Sequence, residues 1–201
     1  MKIIIISNRL PLKIVEENGK YEVIPSPGGL STGLDSLDVA HERVWVGWPG
    51  MYLEDGEEKS QIDDTLKDKG YTPVYLSPDQ IEKYYEGYSN SVLWPLCHYF
   101  PSYIHYEDEY WETYKGVNAL FCEAALTVID PGDIVWIQDY QLMLLPNMLR
   151  EKMPDISIGY FHHIPFPSYE LFRTLSQSTE LLRGLLGADL IGFHTHGHCR
   201  L

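Results

Sequence analysis

The stretch KIIIISNRLP, residues 2–11, determines the fold class that we expect for this chain. Its four consecutive isoleucines do not alternate with polar residues, which is typical of a strand covered on both faces in a parallel sheet. The apolar run stops at Ser7, Asn8 and Arg9, so polar side chains begin where the strand ends. We therefore expect a buried first strand with Arg9 at its carboxyl end.

Apolar runs of similar length recur further along the chain, at residues 43–48, 72–76, 134–137, 156–160 and 189–193. Stretches with helical patterns lie among them, at residues 59–69, 77–86, 107–129, 142–152 and 169–186. This succession predicts an α/β domain with a Rossmann-like, doubly wound and mostly parallel sheet. A β-hairpin insertion is predicted near residues 11–25, because a turn-like Glu-Asn-Gly-Lys separates two apolar stretches there.

Length and composition favour one domain spanning residues 1–201, because 44% of the residues are hydrophobic and can form a substantial core. No apolar stretch approaches the roughly 18 to 20 residues of a membrane span. The net charge of −14 argues against binding to nucleic acid or to an anionic membrane. Three distant cysteines predict free thiols and a cytoplasmic location.

Polar side chains follow several of the predicted strands, where ligands bind in parallel sheets. Arg9 offers a forked set of donors suited to a phosphate, or forms a structural ion pair. Asp139 is placed to accept a sugar hydroxyl or act as a base, or to cap the next helix. His163 precedes Ile-Pro-Phe-Pro, whose prolines stiffen the backbone beside a ligand; a satisfied core histidine is the alternative.

Three further features carry two interpretations each. Gly28 and Gly29 open a helix whose N–H groups suit an anion, or they form a plain turn. The aromatic residues between 84 and 94 stack on sugars or belong to the core. His194, His196, His198 and Cys199 resemble zinc ligands by type, but we expect no metal site there.

Six segments in chain order resemble the trehalose-6-phosphate synthase family. They are SNRLP at 7–11, GGLSTG at 28–33, GWPG at 47–50, SNSVLWP at 89–95, QDYQL at 138–142 and HIPFP at 163–167. The resemblance implies the N-terminal half of a GT-B glycosyltransferase. It also implies transfer of glucose from UDP-glucose to glucose 6-phosphate with retention, giving α,α-trehalose 6-phosphate without a metal or other cofactor.

The resemblance also assigns roles to individual residues. Arg9 and Tyr85 match positions that hold the acceptor phosphate, whereas Trp48, Trp94 and Asp139 match positions that contact its sugar. His163 matches a position near the reacting centre of the donor, and Gly28 and Gly29 match the loop beside the donor pyrophosphate. His163 and Asp139 are therefore the expected catalytic residues. His162 is expected to pack in the core or to support a residue that contacts the ligand.

Departures from the family pattern affect this interpretation. The family commonly has His-Asp-Tyr-His where this chain has Gln138-Asp-Tyr-Gln141, and glutamine cannot titrate. The family also commonly has a residue such as Leu where this chain has His162. The chain also stops just after a strand, so we expect a piece of a longer protein that lacks the donor-binding half and is inactive alone. A non-catalytic sugar-phosphate module and a transferase with another acceptor stay open, as does a homo-oligomer.

Overall fold

The computed structural model describes residues 1–17, 20–26, 42–54 and 56–195. Gly28, Gly29, His196, His198 and Cys199 lie outside these ranges, so the predictions made for them are not tested. Eight strands are described. They are β1 (Lys2–Arg9), β2 (Leu12–Glu17), β3 (Lys20–Pro25), β4 (Glu42–Trp48), β5 (Tyr71–Pro73), β6 (Ile134–Gln138), β7 (Ser157–His162) and β8 (Leu190–Phe193).

Six of these strands form one parallel sheet in the order β5-β4-β1-β6-β7-β8, and β2 pairs with β3 as an antiparallel hairpin. The predicted parallel sheet and hairpin insertion are both confirmed. The chain runs from β1 outward to β4 and β5, then returns to β6 on the other side of β1. This reversal opens a crevice outside the carboxyl ends of β1 and β6.

The helices are α1 (Glu57–Asp68), α2 (residues 78–97), α3 (Asp108–Leu126), α4 (Leu145–Lys152), α5 (Tyr169–Phe172) and α6 (Ser178–Leu185), with 3₁₀ turns at Pro101–Tyr103 and Tyr140–Leu142. Within the described residues, none of these helices is long and apolar enough to cross a membrane. Ile4 and Ile6 of β1 pack in the larger apolar cluster, while Ile5 packs in a second cluster with Ile62 and Leu66 of α1. Because successive strand residues face opposite ways, both faces of β1 are buried, as its uninterrupted isoleucines predicted.

Helix α2 is longer than the sequence predicted. It begins at a capping box, in which Ser77 Oγ accepts from Gln80 N–H and Gln80 Oε1 accepts from Ser77 N–H. The predicted end near residue 86, before a proline-rich loop, is wrong. The helix continues as a π-helix over Ile81–Leu93 and as one α-turn over Trp94–Cys97. Pro95 is tolerated because the Ser91 carbonyl that it cannot bond accepts from His105 N–H instead, at 3.0 Å.

The single helix predicted over residues 169–186 is also wrong, because α5 and α6 are separate. Between them, the Thr174 hydroxyl donates to the Leu171 carbonyl at 2.7 Å. Such a local bond competes with the helical hydrogen-bond pattern. Gln177 Nε2 donates to the Tyr106 hydroxyl at 2.8 Å, which fixes the break against another part of the fold.

Candidate active site

Arg9 lies at the carboxyl end of β1, in register with Trp48 at the end of β4. Its guanidinium carbon is 5.5 Å from the centre of the Trp48 ring, a cation–π contact. Gly50 has a φ of +90°, and a Cβ there would lie 2.6 Å from Arg9 Nη2, so a larger residue would displace the guanidinium. Arg9 is exposed and forms no ion pair with any side chain that the structure describes. None of these side chains is therefore a partner for the structural ion pair that was the alternative role of Arg9.

Asp139 follows β6 directly and uses one carboxylate oxygen for two bonds. Oδ1 accepts from the backbone N–H of Tyr140 and from that of His163, both at 3.0 Å. Asp139 therefore caps the 3₁₀ turn at Tyr140–Leu142, whereas the helix that follows begins at Leu145 without a side-chain cap. Its second oxygen forms no hydrogen bond with the described residues, so a ligand hydroxyl has an acceptor there.

The electrostatics of Asp139 are set by its surroundings. Burial raises the pKa of this carboxyl from its ordinary value of 3.8 to about 6, and the two backbone N–H groups oppose that rise. Its backbone has a φ of +73° with a ψ of 172°, a conformation that costs of order 1–3 kcal/mol for a residue other than glycine. The surrounding fold thus holds a strained, poorly solvated carboxylate at the edge of the crevice.

His162 and His163 have different environments, as expected for neighbours at the end of a strand. His162 is fully buried, and its Nδ1 lies 3.0 Å from the Tyr160 hydroxyl, which confirms the predicted packing role. His163 is half-buried, and its Nε2 lies 2.8 Å from Gln138 Oε1. Burial, aided by the nearby His194, lowers the pKa of His163 below 6.5, so its ring is neutral near pH 7.

The aromatic residues of α2 divide between the two interpretations. Tyr84 and Tyr88 are fully buried and belong to the core. Tyr85 packs at the edge of that core, and Trp94 stays 42% exposed while stacking on His98 with ring centres 3.8 Å apart. Tyr85 and Trp94 are thus the members of this segment that keep surface for a ligand.

Helix α2 links the strand ends to one another. The Tyr84 hydroxyl donates to Asn8 Oδ1 on β1, and the Tyr140 hydroxyl donates to Asn90 Oδ1 on α2, both at 2.9 Å. Burial raises the pKa of the Cys97 thiol, and the negative charge of Asp139 raises it further. Cys97, at the end of α2, therefore lies near Asp139.

Sequence reasoning missed the roles of Asn8, Gln138, Tyr140 and Asn90. Each belongs to a segment noted for its resemblance to the family. Asn8, Gln138 and Tyr140 also lie among the polar residues at predicted strand ends, which is a second signal that could have selected them. Among the described residues, no group of three or more His, Cys, Asp or Glu side chains could hold a metal ion.

The sequence profile of glycosyltransferase family 20 matches residues 1–201. The chain belongs to this family. It is 44% identical over 205 residues to an α,α-trehalose-phosphate synthase (UDP-forming) of Aspergillus fumigatus, covering 99% of this chain and 40% of that protein. With the Schizosaccharomyces pombe enzyme of the same name it shares 43% identity at the same coverage. The chain thus spans about two fifths of the length of these two relatives.

Solved structures of similar proteins have the same fold. A UDP-forming α,α-trehalose-phosphate synthase from Burkholderia xenovorans in complex with glucose-6-phosphate superposes with a TM-score of 0.78 and 30% identity, covering 100% of this chain and 42% of that one. The N-terminal domain of a trehalose-6-phosphate phosphatase from Candida albicans gives 0.79 and 35%, covering 99% and 41%. The likeness to trehalose-phosphate synthases confirms the predicted fold, the N-terminal half of a GT-B glycosyltransferase.

Proposed function

We propose that the protein carrying this chain transfers glucose from UDP-glucose to glucose 6-phosphate, forming α,α-trehalose 6-phosphate and UDP with retention. One arrangement carries the proposal: an arginine without an ion pair among the described residues stands at the end of β1, and a carboxylate bonded to the backbone of His163 stands at the end of β6. Membership of family 20 and the synthases among its relatives select the reaction.

The acceptor is held by residues of this chain, which forms one domain over residues 1–201. Arg9, oriented by its contact with Trp48, binds the phosphate together with Tyr85. Trp48 and Trp94 contact the sugar, and the second oxygen of Asp139 accepts one of its hydroxyls. The exposure of Arg9 and of the Trp94 ring supports this assignment.

The donor is held by His163 with Gly28 and Gly29, and by residues beyond this chain. Because its pKa is lowered, His163 is neutral near pH 7 and acts by positioning the donor glucose rather than by giving up a proton. The acceptor hydroxyl attacks from the face that the leaving phosphate vacates, and that phosphate takes the proton. Catalysis then rests on orientation and on electrostatic stabilisation of the departing diphosphate.

An assay with UDP-glucose and glucose 6-phosphate tests this function. We expect the complete gene product to release UDP and form trehalose 6-phosphate, and the 201-residue chain alone to show little or no turnover. Equal turnover by the two proteins would contradict the need for a separate donor-binding half.

Buried Cys97 and Cys122, both free thiols, support the cytoplasmic location that we propose for the protein.

A second candidate is a non-catalytic module that binds a sugar phosphate. The likeness to the N-terminal domain of a protein named as a phosphatase favours it, as do Gln138 and Gln141, which cannot titrate. A complete gene product that binds glucose 6-phosphate by calorimetry but never forms product would establish this alternative.

A further inference from the structure

Gln138 contacts the ring of His163 from a fully enclosed position. It is the last residue of β6 and only 1% exposed, and its Oε1 lies 2.8 Å from His163 Nε2. The Gln138 amide turns its oxygen toward the ring, and its Nε2 is buried with no hydrogen-bond partner among the described residues. The carbonyl oxygen of an amide only accepts hydrogen bonds, so in this orientation of the amide His163 Nε2 carries the proton. A neutral imidazole has one N–H, and Nδ1 is therefore left as an acceptor.

Two hydrogen bonds hold the backbone beneath this ring. Asp139 N–H donates to the Phe161 carbonyl at 2.8 Å, and His163 N–H donates to Asp139 Oδ1 at 3.0 Å. The ring also packs against Phe161, with ring centres 4.7 Å apart. The backbone and one face of the ring are thus fixed, and the Gln138 contact determines the remaining variable, the position of the proton.

Glutamine is suited to this role because its amide does not change charge with pH. A side chain that titrated at position 138 would exchange acceptor for donor as the pH changed, and the proton on His163 would follow. His163 Nδ1 forms no hydrogen bond with the described residues. It is therefore free to accept from a hydroxyl of a bound ligand.

We propose that Gln138 is a positioning residue that fixes His163 as the Nε2–H tautomer, so that His163 meets its ligand with Nδ1 as a hydrogen-bond acceptor. Only the identity of that ligand, the donor glucose, rests on the proposed function. The tautomer is a property of the chain without ligand. A gene product that lacked transferase activity would overturn the proposed function and leave this inference unchanged.

Nitrogen NMR of the 15N-histidine-labelled chain tests the proposal, with the His163 signals assigned through His163→Gln. We expect a protonated Nε2 whose proton exchanges slowly, and an unprotonated Nδ1. In Gln138→Met, which keeps the side-chain length without an acceptor, exchange of that proton should be about tenfold faster, the factor that corresponds to one hydrogen bond. The ring nitrogens should also move toward values averaged over both tautomers.

Two further variants distinguish positioning from general packing. Gln138→Glu, measured at about pH 8.5 where the carboxyl is ionised, keeps an oxygen acceptor and should retain the protected Nε2 proton. Gln177→Met changes another buried glutamine, bonded to Tyr106, and should leave the His163 signals unchanged. A proton on Nδ1 in the unmodified chain would overturn the proposal, and so would identical His163 signals and exchange rates in the chain and in Gln138→Met.

Discussion

The carboxylate of Asp139 accepts a 3.0 Å hydrogen bond from the backbone N–H of His163. This bond joins the ends of β6 and β7 next to the ladder bond between Asp139 N–H and the Phe161 carbonyl. One side chain therefore sets the backbone position from which the His163 ring extends. Because the same oxygen also caps the Tyr140 turn, its loss should disturb two neighbouring segments at once.

Removal of the Asp139 carboxylate should destabilise the fold. Asp139→Ala leaves the N–H groups of Tyr140 and His163 without their acceptor, and we expect a loss of about 2–4 kcal/mol in the free energy of unfolding. Asp139→Asn keeps an oxygen acceptor and tolerates positive φ, so its loss should be below about 1 kcal/mol. Urea unfolding near pH 7 compares them, and equal losses would show that the bonds to Oδ1 contribute little.

The pH dependence of stability should report the buried Asp139 carboxyl. Its pKa is raised to about 6 in the folded chain, so the folded state binds a proton more tightly than the unfolded state between about pH 4 and 6. The contribution of this carboxyl to the free energy of unfolding is therefore largest below about pH 4. It is lost as the pH rises to about 6. We expect a contribution of about 2 kcal/mol over this window, allowing for partial exposure to solvent.

The matched control for that prediction is Asp139→Asn, whose side chain does not titrate. The difference in unfolding free energy between the chain and this variant should change across the window and stay level above about pH 7. A difference that is flat from about pH 4 to 7 would mean that the carboxyl ionises in the folded chain at its ordinary pKa.

Replacement of Arg9 should weaken binding of glucose 6-phosphate without unfolding the chain. We expect Arg9→Ala to raise the Kd about 10- to 100-fold, because a charge-assisted contact to the phosphate is lost. Arg9→Lys keeps the charge without the forked donors. Its Kd should therefore lie between that of the unmodified chain and that of Arg9→Ala. The exposed position of Arg9 predicts a change in unfolding free energy within about 0.5 kcal/mol.

Calorimetry with glucose supplies the control for Arg9, because glucose lacks the phosphate. Its affinity should be nearly the same for the chain and for Arg9→Ala. If glucose 6-phosphate bound both proteins equally well, the phosphate would have to lie elsewhere.

Gly187 should tolerate no side chain, whereas Gly116 should benefit from one. A Cβ at Gly187 would lie 2.3 Å from Asn147 N and 2.5 Å from the Pro146 carbonyl carbon, both rigid backbone atoms of α4. Gly187→Ala should therefore cost about 2–3 kcal/mol or more. Gly116 lies within α3 with open space around it, so Gly116→Ala should stabilise by about 0.5–1 kcal/mol. Thermal unfolding measures both, and similar midpoints would contradict the close packing at Gly187.

Local patterns predicted the sheet because burial on two faces leaves a visible signature. Ile4, Ile5 and Ile6 face two different apolar clusters, so the run has no polar position. Local residue types gave the wrong end for α2, because the prolines and polar residues after position 86 are typical of a loop. The helix continues there because His105, distant in sequence, bonds the carbonyl that Pro95 leaves free.

The candidate site was predictable in its residue types and not in its contacts. Arg9, Asp139 and His163 were selected as polar residues near predicted strand ends, and the structure describes all three at such ends. Gln138 was noted as a polar residue at a predicted strand end and as a departure from the family pattern, without a contact to His163. Its bond to His163 spans 25 residues and depends on the register of β6 against β7, which no local pattern encodes.

The amino-acid sequence by itself determined the α/β fold class, the parallel sheet and the family, because hydrophobic periodicity and short motifs are properties of neighbouring residues. Tertiary structure alone decided that β1 lies beside β6, that one oxygen of Asp139 holds the backbone of His163, and that Gln138 faces its ring. These relationships join residues far apart in the chain. They follow from strand order and register, which are fixed only when all the apolar faces pack together.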